Sequence, residues 1–467
     1  MTTAPARSHR QSQRRIVADA NARRLDPIDT GRELRTGRMR RIVAGSLLTG
    51  AVCAAVLTVV VFGGSPEHLI TGSALLGFAL GWGMLAVLSV RMTNQPQRWA
   101  LVPAKALAGT GLGLLVLAPG DRGLTAAGWV WPPVLLALAL WMGFRVRRSL
   151  AARSGRRALY PVVAVMVLAA VGGMAETLAR AADKQSLAMP GQTYDVGGRR
   201  LHLSCTGSGS PTVVLQGGLA EMSSSWARIA PAAGRTTRVC AYDRAGQGWS
   251  DDAPHPQDGR EVAADLHAVL ARGGEDGPFV LVGHSTGGGF AMAYAAQYPE
   301  QVAGMVLLDP SDPYRSPDDY GSARAPAEIA LLPSLARLGL GRLVPSNVWS
   351  SLAEPAAGQI EAFAASPRGW RNQRDEYATM PALFVQARAL SSLGSTPLVV
   401  LSTTASHHAS AFLAAHDRIA ELSTNSSHRF ADTTHMGVLD EERGAGVSAD
   451  AIDNVVRAVR GGTPVSH

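Results

Sequence analysis

A chain of 467 residues exceeds one ordinary domain, and its 46% hydrophobic but only 6% aromatic content, gathered mainly between about residues 42 and 178, excludes a single water-soluble unit. The formal net charge of +8 resides almost wholly in residues 1–41, where eleven arginines face Asp19, Asp26, Asp29 and Glu33. The remainder is close to neutral, so nucleic-acid binding is not expected and membrane orientation accounts for the basic end.

Residues 1–41, poor in aliphatic and aromatic side chains, read as a disordered basic tail. Five apolar stretches follow, at roughly 42–62, 69–90, 100–118, 127–144 and 159–177, each near the ~20 residues a helix needs to cross the hydrocarbon core. The third carries Lys105, placed where an ammonium can extend to the headgroups; a failure of that stretch to span would reverse the orientation. Arginines alternate along the chain. The tail, the segment with Arg91 and Arg98, and the segment from Arg145 to Arg157 are rich in them, whereas Ser65–His68 and Pro119–Ala126 are poor. The positive-inside rule then places the N-terminus in the cytoplasm and everything beyond about residue 180 on the outer face of the cell membrane. No cleavable signal peptide is expected, because the first apolar run starts late and leads into further spans.

Beyond about residue 185 the pattern changes. Short β-rich runs at Arg200–Ser204, Thr212–Leu215, Arg238–Tyr242, Phe279–Val282, Met305–Leu308, Pro397–Leu401 and His428–Ala431 are separated by helical stretches, the alternation of a mostly parallel sheet covered by helices. The segment from about 311 to 395, with Pro, Ser and short amphipathic pieces, reads as an inserted lid. A C-terminal helix is expected over Ala449–Arg460.

The run Phe279–Val282 leads directly into Gly283, His284, Ser285, Thr286 and Gly287, and a helical stretch follows. Strand, GxSxG and helix in this order hold a serine on a sharp, strained turn, with small neighbours because larger ones would collide there. GxSxG alone is weak in a chain with 50 glycines and is satisfied by an ordinary turn; its flanks make it a nucleophile elbow.

With those residues in view, about 193–462 resembles the α/β-hydrolase family. Val213–Gly218 looks like the strand and turn that the family uses for its oxyanion hole, with Gln216 and Gly217 where a His-Gly-type pair often stands, and Tyr242, Asp243, Arg244, Gly246, Gly248 and Ser250 resemble the segment after the next strand. The resemblance implies an eight-stranded sheet in a domain of about 185–462, preceded by a helical membrane domain over 42–178. It implies that the backbone N–H groups of Leu219 and Thr286 form the oxyanion hole and that His435, after the last strand, is the base. His407, His408, His416 and His428 read instead as surface or strand residues. The loop after Pro397–Leu401 offers no carboxylate before Asp417, so the triad acid is expected at the preceding strand end: Asp309 first, Asp312 second, with a structural, amide-capping aspartate as the competing reading of Asp309. Cys205 and Cys240 fall on strands that neighbour in the family's sheet order, so a disulfide is expected over two buried thiols; Cys53 lies in the first span.

These residues describe a membrane-anchored serine hydrolase acting on an ester or related acyl bond, needing neither metal nor organic cofactor, with a small-molecule or lipid-like ester as substrate. Serine at the nucleophile position argues against haloalkane dehalogenase and epoxide hydrolase chemistry. Acyl transfer, peptide cleavage and carbon–carbon bond hydrolysis stay open, as do a catalytically silent ligand-binding protein and a membrane or transport protein with an incidental hydrolase domain.

Overall fold

The computed structural model describes residues 27–150, 153–315, 327–344, 348–405 and 410–466. The chain forms two compact units. One comprises the segments up to Leu57, Gly72–Leu117 and Pro133–Leu168; the other comprises Thr58–Thr71, Ala118–Pro132 and the chain from Ala169 onward.

The first unit is helical. Among the described residues four helices are long and apolar enough to cross a membrane, Arg38–Val61, Glu67–Met92, Arg98–Leu117 and Gly155–Ser186, and Asp121–Ala127 with Trp131–Ser149, bent by 45°, make a fifth if taken as one span. The expected span at 127–144 falls on this bent pair, which has the form of a broken span or of a re-entrant loop. Its second half restarts at Trp131 with Pro132 and Pro133 in the first turn, where a missing N–H leaves no bond unmade. Small residues let two of these helices meet backbone to backbone: a Cβ on Gly50 would stand 3.0 Å from the Gly81 Cα. Trp82, Trp99, Met142, Val146 and Leu159 form the buried centre of this unit. Among the described residues the first helix is Pro27–Ala55, so residues 27–41, expected as disordered tail, are helical. Arg, Leu, Met and Glu are good helix formers, and the adjoining span supplies the nucleus that a short helix lacks. Residues 1–26 of the expected tail lie outside the described residues.

The second unit contains an eight-stranded sheet: β1 (Gln192–Val196), β2 (Arg199–Thr206), β3 (Val213–Gln216), β4 (Val239–Asp243), β5 (Phe279–His284), β6 (Val302–Leu308), β7 (Leu398–Thr403) and β8 (Ser426–Ala431). Their order is β1-β2-β4-β3-β5-β6-β7-β8. β2 pairs antiparallel with β1 and β4, and every other pair is parallel. Central parallel strands are buried on both faces and so read as unbroken apolar runs. Along β5 the alternation persists in three dimensions. Leu281 packs on one side with Val262, Leu266, Phe290 and Tyr294, while Val280 and Val282 pack on the other with Trp226, Ile452 and Val455.

Between β6 and β7 lie the helices Ala327–Ala336, Ala356–Ala365 and Pro367–Ala387, inside the expected lid. The C-terminal helix runs Glu442–Gly461 and is longer at both ends than expected. Cys205 and Cys240 stand directly opposite each other on β2 and β4 and are joined as a disulfide.

Candidate active site

The chain direction reverses around β3: the connection after it leads to β4 on one side, and β5 and β6 build outward on the other. At such a switch point the connections leave in opposite directions and open a crevice beyond the carboxyl ends of the strands. The ends that border it are Gln216 on β3 and His284 on β5, so Ser285 and the Gly217–Gly218 turn meet there.

Ser285 has φ 54° and ψ −124°, a strained conformation for a residue with a side chain, held between β5 and the helix Thr286–Gln297. Its N–H donates to the Leu308 carbonyl at 3.1 Å, and its own carbonyl accepts from Gly288 and Ser311. Glycine is obligatory at the crossing. A Cβ on Gly287 would lie 2.1 Å from the Gln216 oxygen, and one on Gly218 would lie 2.9 Å from the Ser285 Cβ. Thr286 is the first residue of its helix, so its N–H has no partner within that helix, and Leu219 continues the turn past Gly218.

His435 and Asp309 come together. Nδ1 of His435 lies 2.6 Å from Oδ2 of Asp309, whose carboxylate is fully buried while the imidazole is 40% exposed. Asp309 also accepts bonds from the Thr403 N–H at 3.0 Å and the Thr403 hydroxyl at 3.2 Å. The carboxylate thus faces the imidazole and caps a backbone amide at once. Its φ of 42° turns the chain sharply at the end of β6. Asp312 accepts the Tyr314 N–H instead. His428 lies on β8, as expected of a strand residue, but His416 is neither on the surface nor on a strand. It is buried on the helix Ser410–Ala420, between Ser402 and the Pro310 carbonyl, and burial lowers its pKa below the usual imidazole value. His407 and His408 lie outside the described residues.

Two groups support the turn: Glu221, for which the sequence gives no signal, and Arg244, read there only as part of a motif. Glu221 is buried, accepts the Gly218 N–H at 2.6 Å and faces Nδ1 of His284 at 2.6 Å. The other nitrogen of His284 faces the His435 carbonyl at 2.9 Å. With an acceptor at each nitrogen, the ring satisfies both only as a cation. Burial opposes that charge, but the Glu221 carboxylate and the His435 carbonyl outweigh it and raise the pKa above the usual value. From the opposite side Arg244, 2% exposed, donates to the carbonyls of Gly217 at 2.6 Å and Gly218 at 2.9 Å, and pairs with Glu376 of the lid helix Pro367–Ala387 at 2.9 Å. The Gly217–Gly218 turn is thus held through its N–H by Glu221 and through its C=O groups by Arg244.

Residues 211–328, which contain the turn, the elbow and the end of β6, match the family described as alpha/beta hydrolase fold. This part of the chain is an alpha/beta hydrolase. Among curated relatives, "Uncharacterized protein C23C11.06c" of Schizosaccharomyces pombe is 33% identical over 154 residues, 27% of this chain and 29% of that protein. Lipase LipV of Mycobacterium tuberculosis is 41% identical over 112 residues, 24% of this chain and 42% of that one. The matches span less than half the length of either relative. The crystal structure of Cfl2 from Burkholderia cenocepacia superposes at a TM-score of 0.46 with 23% identity, over 56% of this chain and 94% of that one. The family match covers strands β3 to β6 of the sheet, and the apolar helices precede it as a membrane-type domain.

Proposed function

We propose that the protein is a membrane-anchored serine hydrolase that cleaves an ester or related acyl bond. The observation that carries this reading is the arrangement at the switch point. A serine is strained into positive φ at the end of β5, against a glycine turn, with a histidine that has a buried aspartate 2.6 Å from its far nitrogen.

In the proposed reaction Ser285 Oγ attacks the acyl carbonyl while Nε2 of His435 takes its proton. Asp309 holds Nδ1–H of His435, which fixes the tautomer that leaves Nε2 free to accept and stabilises the imidazolium that forms. The N–H groups of Leu219 and Thr286 donate to the oxyanion of the tetrahedral intermediate; loss of one such donor commonly costs about 3 kcal/mol of barrier. His435 then gives its proton to the leaving alcohol. Water, deprotonated by the same ring, releases the acid from the acyl-serine.

The test is labelling of the detergent-solubilised protein with a fluorophosphonate. The wild type is expected to label stoichiometrically and the Ser285→Ala variant not at all. A Ser285→Ala protein that labels as well as wild type would place the nucleophile elsewhere.

A further inference from the structure

The lid is tied to the ends of the apolar helices. Arg337, which follows the lid helix Ala327–Ala336, pairs with Glu67 at the start of the second span and, at 2.8 Å, with Asp121 at the start of the bent pair. Arg342 pairs at 2.6 Å with both Glu176 and Asp183 near the end of the last span, and Thr71 and Ser334 share a hydrogen bond of 2.7 Å. Three separate span ends thus supply acids and one lid segment supplies the arginines.

Between the two arginines the chain reaches further. The Leu338 carbonyl packs so closely on Gly172 that a Cβ there would lie 2.1 Å away, and Gly339, at φ 80°, lies against the Gly172 carbonyl. Gly172 precedes Glu176 by four residues, about 6 Å along the helix, and sits within the apolar Gly155–Ser186 span. Val171 and Leu178 of that span are exposed, Leu178 at 60%, as are Leu340, Leu343 and Val344 of the lid, Leu343 at 74%. The one charge in Leu338–Val344 is Arg342, already engaged by two carboxylates. An exposed apolar tip, stripped of free charge and set beside a lipid-facing helix below its polar end, has the character of a segment buried in the headgroup–acyl boundary.

We propose that Leu338–Val344 is seated in the lipid leaflet on the hydrolase side, and that the substrate of Ser285 is an acyl ester resident in that leaflet. The second half rests on the serine-hydrolase reading above. The lid helix Ala327–Ala336 packs on Pro367–Ala387, which packs on the elbow helix and, through Glu376 and Arg244, holds the oxyanion turn. A tip held at this depth delivers an acyl chain to the site without full transfer of that chain into water.

Full-length protein carrying Leu343→Cys and Cys53→Ser, labelled with an environment-sensitive fluorophore and reconstituted in phosphatidylcholine vesicles, tests the seat. A nitroxide placed high on the acyl chains should quench this probe at least threefold more than one at Asp276→Cys, an exposed position in the β5 approach. Equal quenching at the two sites overturns the seat. For the substrate, Leu340→Asp with Leu343→Asp should lower kcat/KM at least tenfold for a long-chain ester embedded in vesicles and leave a short water-soluble ester unaffected. An equal effect on both esters, or on neither, overturns the substrate class. A wild type that neither labels with fluorophosphonate nor cleaves the short ester overturns the hydrolase reading, and the substrate with it, while the quenching measurement still decides where the lid lies.

Discussion

At the residue scale, the two histidines near Ser285 differ in what faces their nitrogens. His284 is enclosed by Glu221 and the His435 carbonyl, so both nitrogens are spent on holding the turn and the histidine loop together. His435 places Nδ1 against Asp309, and its ring is part-exposed. Replacing Asp309 by Asn keeps the shape but favours the wrong tautomer, so kcat should fall by about 10⁴-fold, against a change within about threefold for Asp312→Asn. Comparable losses in the two variants, read by ester hydrolysis, would remove Asp309 from its role. A second buried pair gives a pH signature. His202 and Asp243 lie 2.8 Å apart with neither exposed. Burial opposes both charges, but mutual attraction prevails, raising His202 above its usual pKa and, with the Ser223 and Trp249 N–H groups, lowering Asp243 below its own. Asp243 contributes stability that is complete above about pH 4 and fades as pH falls through its lowered value. His202 contributes stability that is complete below about pH 6.5 and fades as pH rises through its raised one. The Tm gap between wild type and Asp243→Asn should therefore be widest between about pH 4.5 and 6 and shrink as pH rises through the raised His202 value; a gap independent of pH would show that the pair is not ionised.

At the scale of elements, the elbow depends on close backbone approach rather than on side-chain packing. Gly287→Val drives a branched carbon into the Gln216 carbonyl and must part β3 from the elbow helix, so fluorophosphonate labelling should drop more than tenfold even in protein that still folds. Retained labelling would mean that the turn relaxes freely. The same locality made the elbow legible in the sequence: strand, glycine, serine and helix lie within about twenty consecutive residues. The central strands β3 to β7 were legible for a related reason, since strands buried on both faces read as mostly apolar runs. β1 was not, because Gln-Thr-Tyr-Asp-Val is an edge strand with a mostly exposed or half-exposed face and only one neighbour. Glu221 escaped notice because its imidazole partner, His284, lies 63 residues away, and Arg244, read only as part of a motif, meets Glu376 132 residues further on. His416 was misplaced because its helix is short and its polar partners, Ser402 and Pro310, come from other strand ends.

At the scale of the whole molecule, two independent features bear on which side of the membrane the hydrolase faces. Arginine placement depends on the number of spans, and the broken helix pair around Gly128 makes that number four or five. The Cys205–Cys240 disulfide does not depend on that count: a cross-strand bond between β2 and β4 persists in an oxidising compartment and is reduced in the cytosol. Five crossings from a cytoplasmic tail agree with it, and four do not. A membrane-impermeant fluorophosphonate should consequently label Ser285 in intact cells as fully as in lysed ones. Under non-reducing conditions a thiol-reactive polymer should add a single mass step, on Cys53, and three steps after reduction. Labelling that requires lysis, together with three reactive thiols from the start, would put the hydrolase in the cytosol. The broken pair would then be a re-entrant loop, because only an even number of crossings returns the chain to the side on which its arginine-rich end begins.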